Sequence, residues 1–102
     1  MTQDQHTFLY LLRPTRPGFM TEMTPEEEEI MGNHFEYLKE LLQDGVLIMA
    51  GPCRDRAFGL VLYRVENEAA AWLIAQNDPS VKSGIMTVEV HPYRISLWMN
   101  PE

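Results

Sequence analysis

The sequence predicts an α+β fold, and three observations carry that prediction. Short apolar segments and helical segments follow one another in the order β-α-β-β-α-β. The longer helix announces its own start and stop. The segment Val46 to Ala50 is apolar at every position.

Met1 to Gln5 is polar and is predicted to fray. Thr7-Phe8-Leu9-Tyr10-Leu11-Leu12 is a β-rich apolar run that Arg13-Pro14 brings to an end. Pro14 to Met20 reads as a loop from its prolines and glycine, and a connection of about ten residues is long enough to expect function or mobility there. Thr24-Pro25-Glu26-Glu27 then marks a helix start. The threonine can accept from the amide three residues on, Glu27 can reach back, and proline is preset for the first helical position. Ile30, Met31, Phe35, Leu38, Leu41 and Leu42 recur at spacings of three and four, which makes one apolar stripe. Gly45 is the stop, so the helix is predicted over Pro25 to Asp44.

Val46 to Ala50 lacks polar alternation, which predicts burial on both faces of that strand. One helix layer covers one face, so a second copy of the chain is expected on the other. Gly51-Pro52 closes the strand, Arg54-Asp55-Arg56 forms a turn, and Gly59 to Val65 is its hairpin partner. Asn67 caps a second helix over Glu68 to about Ala75, and Asn77-Asp78-Pro79-Ser80 stops it. Val81 to Gly84 reads as an irregular turn. Thr87 to Trp98 is the last strand. Its apolar phase slips by one residue at His91-Pro92, which predicts a bulge there.

With right-handed crossovers this order gives the ferredoxin-like arrangement: a four-stranded antiparallel sheet with two helices on one face. The uncovered face is expected to pair with its copy as a dimeric α+β barrel. Neither a repeat nor a linker interrupts residues 1–102, which read as one domain.

Composition narrows the function classes. The net charge is −7, so a phosphate backbone is a poor partner and nucleic-acid binding is not expected. The acidic run Glu26 to Glu29 falls in a first helical turn, where the helix dipole favours it. No apolar stretch nears the ~20 residues that span a bilayer, and no basic segment precedes an apolar run at Met1. A lone cysteine, Cys53, fits a reducing compartment and a cytoplasmic location. Its nearby Arg54 could lower a thiol pKa, but a small buried thiol is the favoured reading. The motifs of zinc proteases, P-loop enzymes, dinucleotide binders and α/β-hydrolases are missing, and no metal or cofactor is expected.

Among three histidines, His34 stands out. It is four residues from Ile30 and from Leu38, so it lies along the apolar stripe and needs a hydrogen-bond partner if buried. Two readings are open: a satisfied core group, or a proton carrier. Asp78 also has two, as an Asx-Pro turn former or as the partner of His34. In this topology the early part of the first helix and the end of the second lie at the same end of the helix pair, so the two side chains can meet. A carboxylate on one ring nitrogen fixes the tautomer and leaves the other nitrogen to move a proton. Tyr10, Arg54 and Arg56 could orient an anionic ligand or serve as ordinary packing and surface groups. Tyr10, Phe19 and Met49 are the expected lining of a pocket at the free nitrogen.

The succession His34, Leu38, Gly45, Gly51-Pro52, Gly59, Glu68-Ala69, Asp78-Pro79 and His91-Pro92 resembles the YciI-like (YCII-related) family over about two-thirds of the chain. The resemblance implies a dimeric α+β barrel similar to muconolactone isomerase. It also implies a catalytic pair formed by a helix-one histidine and an aspartate before proline, here His34 and Asp78. The implied chemistry is cofactor-independent proton transfer on a small organic molecule, by isomerisation or by elimination of a leaving group. A non-catalytic ligand-binding or regulatory dimer is the alternative. The chain departs from the family in its longer, proline-rich segment Pro14 to Met23.

Overall fold

The computed structural model describes residues 6–99; the segment predicted to fray, residues 1–5, lies outside them. The strands are β1 (Thr7–Pro14), β2 (Leu47–Pro52), β3 (Gly59–Arg64) and β4 (Met86–Pro92). The helices are α1 (Pro25–Gln43), α2 (Glu68–Asn77) and the short α3 (Pro79–Lys82). The sheet is antiparallel with strand order β2-β3-β1-β4, the ferredoxin-like topology. Phe8, Tyr10 and Leu12 of β1 pair across to Tyr63, Val61 and Gly59 of β3 and to Pro92, Val90 and Val88 of β4. This parity turns them toward the helices, where Phe8, Tyr10, Leu12, Val61, Tyr63 and Val90 form the core with Ala71 and Ala75 of α2.

The chemistry predicted at the ends of α1 is present. Thr24 Oγ1 accepts from the Glu27 amide at 3.1 Å, and the Thr24 amide donates to Glu27 Oε1 at 2.9 Å. At the other end Gly45 adopts φ +77°, which lets the Gly45 and Val46 amides donate back to the Leu42 and Leu41 carbonyls. The long β1–α1 loop is tied down, contrary to the mobility its length suggests. Arg16 grips Glu27 with both arms of its guanidinium, at 2.9 and 2.7 Å, and also donates to the Glu22 carbonyl, while Phe19 is buried in the core.

One prediction follows from this clamp. The Arg16 hydrogen bonds, followed by that from the Thr24 amide, hold the Glu27 carboxyl down at about 2. A carboxyl held below its ordinary 4.5 contributes stability that is complete above pH 4.5 and disappears as pH falls toward about 2. Thermal melts from pH 5 to pH 2 should therefore show a steep acid limb that Glu27→Gln flattens. A variant with an unchanged acid limb would place the acid sensitivity elsewhere.

Four expectations are corrected. First, β1 continues through Arg13 and Pro14. The Thr15 amide donates to Ile85 on the β4 side, so the donor that proline lacks faces the β3 side, where the pairing has already ended at Leu12–Gly59. Second, β4 stops at Pro92 with an unbroken register, and the phase slip is the chain leaving the sheet after a last bond from Tyr93 to Thr7. The irregularity in the sheet lies instead between Leu47 and Met49. Third, the expected irregular turn after Pro79 is the helix α3. Fourth, β2 runs on to Pro52 as an edge strand, and only Leu47 in it is fully buried.

The opposite face carries Leu9, Leu11, Leu60 and Leu62 at its centre. Arg13, Glu89 and His91 cluster toward β4, so this face is apolar in the middle and charged at one side.

Candidate active site

Asp78 sits where two helices meet. Its amide closes α2 onto the Ala75 carbonyl, and its carboxylate caps α3 by accepting from the Ser80 amide at 2.9 Å. The proline that follows forbids continuation of α2 and is preset for the first position of α3. The turn reading of Asp78 and the partner reading are thus both satisfied. The carboxylate also accepts from the Ser80 hydroxyl at 2.8 Å, from the Tyr10 hydroxyl at 2.7 Å, and lies 2.8 and 2.9 Å from His34 Nδ1. Asp78 is completely buried, whereas the His34 side chain retains 13% exposure.

Electrostatics make the arrangement definite. Burial is the largest single influence on Asp78 and favours its neutral form. The bond and charge of His34, with the bonds from Tyr10 and Ser80, outweigh burial and hold the carboxyl below the usual range. An ionised carboxylate can only accept, so Nδ1 carries the ring proton and Nε2 has the free lone pair when the ring is neutral. Burial, then the Asp78 charge, pushes the Tyr10 hydroxyl far up, so it remains a donor. Tyr10 is held edge-on by Tyr63, with ring centroids 5.3 Å apart. Tyr63 and Tyr37 donate to the Ala71 and Ile74 carbonyls of α2, and burial beside Asp78 pushes Tyr37 up to about 12. Three tyrosines from the sheet and α1 therefore fix the helix that presents Asp78.

His34 lines a cleft of about 620 Å³ between α1 and the β2–β3 edge of the sheet, a size that suits a small organic ligand. Leu12, Leu47 and Val61 contribute its floor, Phe35, Leu38 and Leu42 its helical wall, and Met20 and Phe58 reach it from loops. The apolar stripe of α1 is thus only partly packed. Leu38 is buried, but Phe35 and Leu42 are 61% and 55% exposed, and Met49 on the facing edge strand is 55% exposed. Within one chain, the apolar residues of β2 serve as a wall of the cleft.

The structure brings His34 and Asp78 into contact and puts Met49 at the cleft. Tyr10 and Phe19 do not line it; both are buried, with Tyr10 beneath Asp78. Arg54 lies outside it, whereas Arg56 from the same turn lines it. His6 bonds the Glu66 carbonyl and His91 bonds Glu89, both away from the cleft. Sequence reasoning missed Tyr10 and Ser80 as further donors to Asp78, and also Phe35, Lys39 and Leu42 as lining. Their spacing of three and four beside His34 was the available signal for the latter. Among the described residues no three His, Cys, Asp or Glu side chains converge as a metal site.

An antiparallel α+β sandwich whose helix-side cleft is lined by a histidine bonded to a buried carboxylate is the class that fold and site define. The chain belongs to the YCII-related domain family, whose model matches residues 7–94. The same fold occurs in 5-chloro-2-hydroxyhydroquinone dehydrochlorinase from Burkholderia phenoliruptrix AC1100, solved as a complex with 2,5-dihydroxybenzoquinone. That protein is 18% identical, the match covers 85% of this chain and 93% of the other, and the TM-score is 0.64. No curated protein matches the chain in sequence.

Proposed function

We propose that the protein is a cofactor-independent enzyme that moves a proton on a small organic molecule, as an isomerase or as a lyase of the dehydrohalogenase kind. The observation that carries this reading is the His34–Asp78 contact at the wall of a mainly apolar cleft. Nε2 accepts a proton from an acidic C–H or O–H of the substrate. The electron pair left behind forms a double bond as a leaving group departs with its own pair, or the proton returns at another atom to give an isomer. Asp78 stays ionised and steadies the imidazolium through Nδ1. The fold shared with a dehydrochlorinase is compatible with the elimination branch.

A titration with 2,5-dihydroxybenzoquinone tests the site. The ligand is expected to shift the NMR signals of His34, Phe35 and Met49, and His34→Gln to weaken its binding. Signals that stay in place through the titration would remove the cleft as its site.

The second reading, a non-catalytic ligand-binding dimer, is favoured by one observation: Asp78 already has a structural duty as the joint between α2 and α3. In either case the reading includes a single domain, a cytoplasmic location and a homodimer. The leucines on the sheet face away from the helices support pairing through that face: Leu9, Leu11 and Leu60 stay partly exposed, with Leu62 beside them. Light scattering is expected to give twice the 11.8 kDa chain mass; a monodisperse species at the single-chain mass would contradict the dimer.

A further inference from the structure

We propose that the occupant of the cleft is a small apolar organic anion, an aromatic-sized body bearing one carboxylate or phenolate oxygen group. This rests on reading the cleft as a small-molecule site, and does not depend on turnover there. The protein is strongly acidic, with 15 Asp and Glu against 8 Lys and Arg. Yet none of the acidic residues lines the cleft, and its ionisable lining consists of His34, Lys39 and Arg56. In a chain that otherwise repels anions, the cleft is a local reversal of sign within an apolar surface, where a charge pair is less screened than in open water.

The two cations approach from different elements, Lys39 from α1 and Arg56 from the β2–β3 turn. Arg56 is held at φ +69°, a left-handed conformation that glycine adopts without strain and arginine does not. The turn enforces it, with the Arg56 amide donating to the Cys53 carbonyl at 2.9 Å and the Cys53 amide to the Phe58 carbonyl at 2.8 Å. A long cation thus stands at a strained turn position beside the cleft, and among the described residues its guanidinium has no hydrogen bond or ion pair. Neighbouring Asp55 makes no ion pair with it and instead turns its Oδ1 to accept from the Ala57 amide at 3.0 Å. Lys39 is only loosely engaged, 3.4 Å from Glu36 with both side chains at least half exposed, and its ammonium lies 5.6 Å from the centre of the Phe35 ring. Arg56 and Lys39 are assigned as anion-orienting residues, with Phe35 and Leu42 covering the apolar body.

Calorimetric titration with 2-naphthoate and with its neutral isostere 2-naphthamide tests this, using the native protein and the exposed-site variants Arg56→Gln and Lys39→Gln. The native protein is expected to bind the carboxylate about tenfold more tightly than the amide, the scale of one charge-assisted hydrogen bond. Arg56→Gln should erase most of that preference, Lys39→Gln part of it, and neither should change amide binding. Equal affinity for the two ligands overturns the anion inference while leaving the cleft a small-molecule site. A preference that survives in both variants overturns the assignment of these residues. If neither ligand binds, the small-molecule reading of the cleft fails, and this inference with it.

Discussion

Asp78→Ala is expected to destabilise the protein by about 3–5 kcal/mol, the range for removing one partner from a buried charged pair. The physical reason is the number of donors left facing an empty site. Tyr10 and Ser80 are fully buried, and the Tyr10 hydroxyl, the Ser80 hydroxyl and the Ser80 amide all lose their acceptor together, as does His34 Nδ1. An unsatisfied buried polar group costs about 1–3 kcal/mol, and the losses here overlap because the groups share one acceptor. The joint between α2 and α3 also loses its cap. In a chain of 102 residues the melting temperature should fall by about 15 °C or more. Asp78→Asn keeps the volume and one acceptor oxygen and should destabilise less. A melting temperature within a few degrees of native for the alanine variant would mean that the donors relax to other partners, and Asp78 would not be the hub described.

The second large effect concerns activity. His34→Gln is expected to lower turnover by about 10²–10⁴-fold, the range for a removed general acid or base. Its effect on stability should be much smaller than that of Asp78→Ala, because a glutamine amide can still donate to the carboxylate. The assay compares native and variant proteins on whichever compound a screen of activated carbonyl compounds and chlorinated hydroquinones shows the native protein to transform. A variant at native rate would leave the His34–Asp78 pair a structural joint and favour the ligand-binding reading.

The contrast between these two substitutions shows what the sequence made legible. Local chemistry was readable where it is self-contained. Thr24 with Glu27 and Gly45 define α1 from their own neighbours, and the order of elements leaves few topologies with antiparallel pairing. Topology made the approach of His34 and Asp78 readable, because α1 and α2 run antiparallel on one sheet face; what it did not give is that His34, midway along the longer α1, meets the C-terminal cap of the shorter α2. What stayed hidden depends on distances between elements. The spacing of Phe35, Leu38 and Leu42 says which side of α1 is apolar, but it carries no information on the gap between that side and β2. Hence a packed helix and a cleft wall look alike. Arg16 and Glu27 are 11 positions apart across an irregular loop, so no periodicity points to their ion pair. The phase slip at His91-Pro92 fits a bulge or a strand exit equally, and only the β1 register distinguishes them. Asp78-Pro79-Ser80 is different: it was read only as a helix stop, although it also holds the local signals of a helix start, namely an Asx cap, proline at the first position, and a serine that can return a bond to the cap.

The link between the fold and the proposed chemistry is the protonation pattern of one imidazole. A long-range ¹H–¹⁵N correlation spectrum of the histidine rings, recorded in mildly alkaline solution where neutral imidazole dominates, reads that pattern directly. The expected result is a His34 ring protonated at Nδ1 and unprotonated at Nε2, with that preference weakened in Asp78→Asn. A His34 ring protonated at Nε2, or a tautomer indifferent to residue 78, would contradict the assignment of Asp78 as the group that leaves His34 free to take a proton.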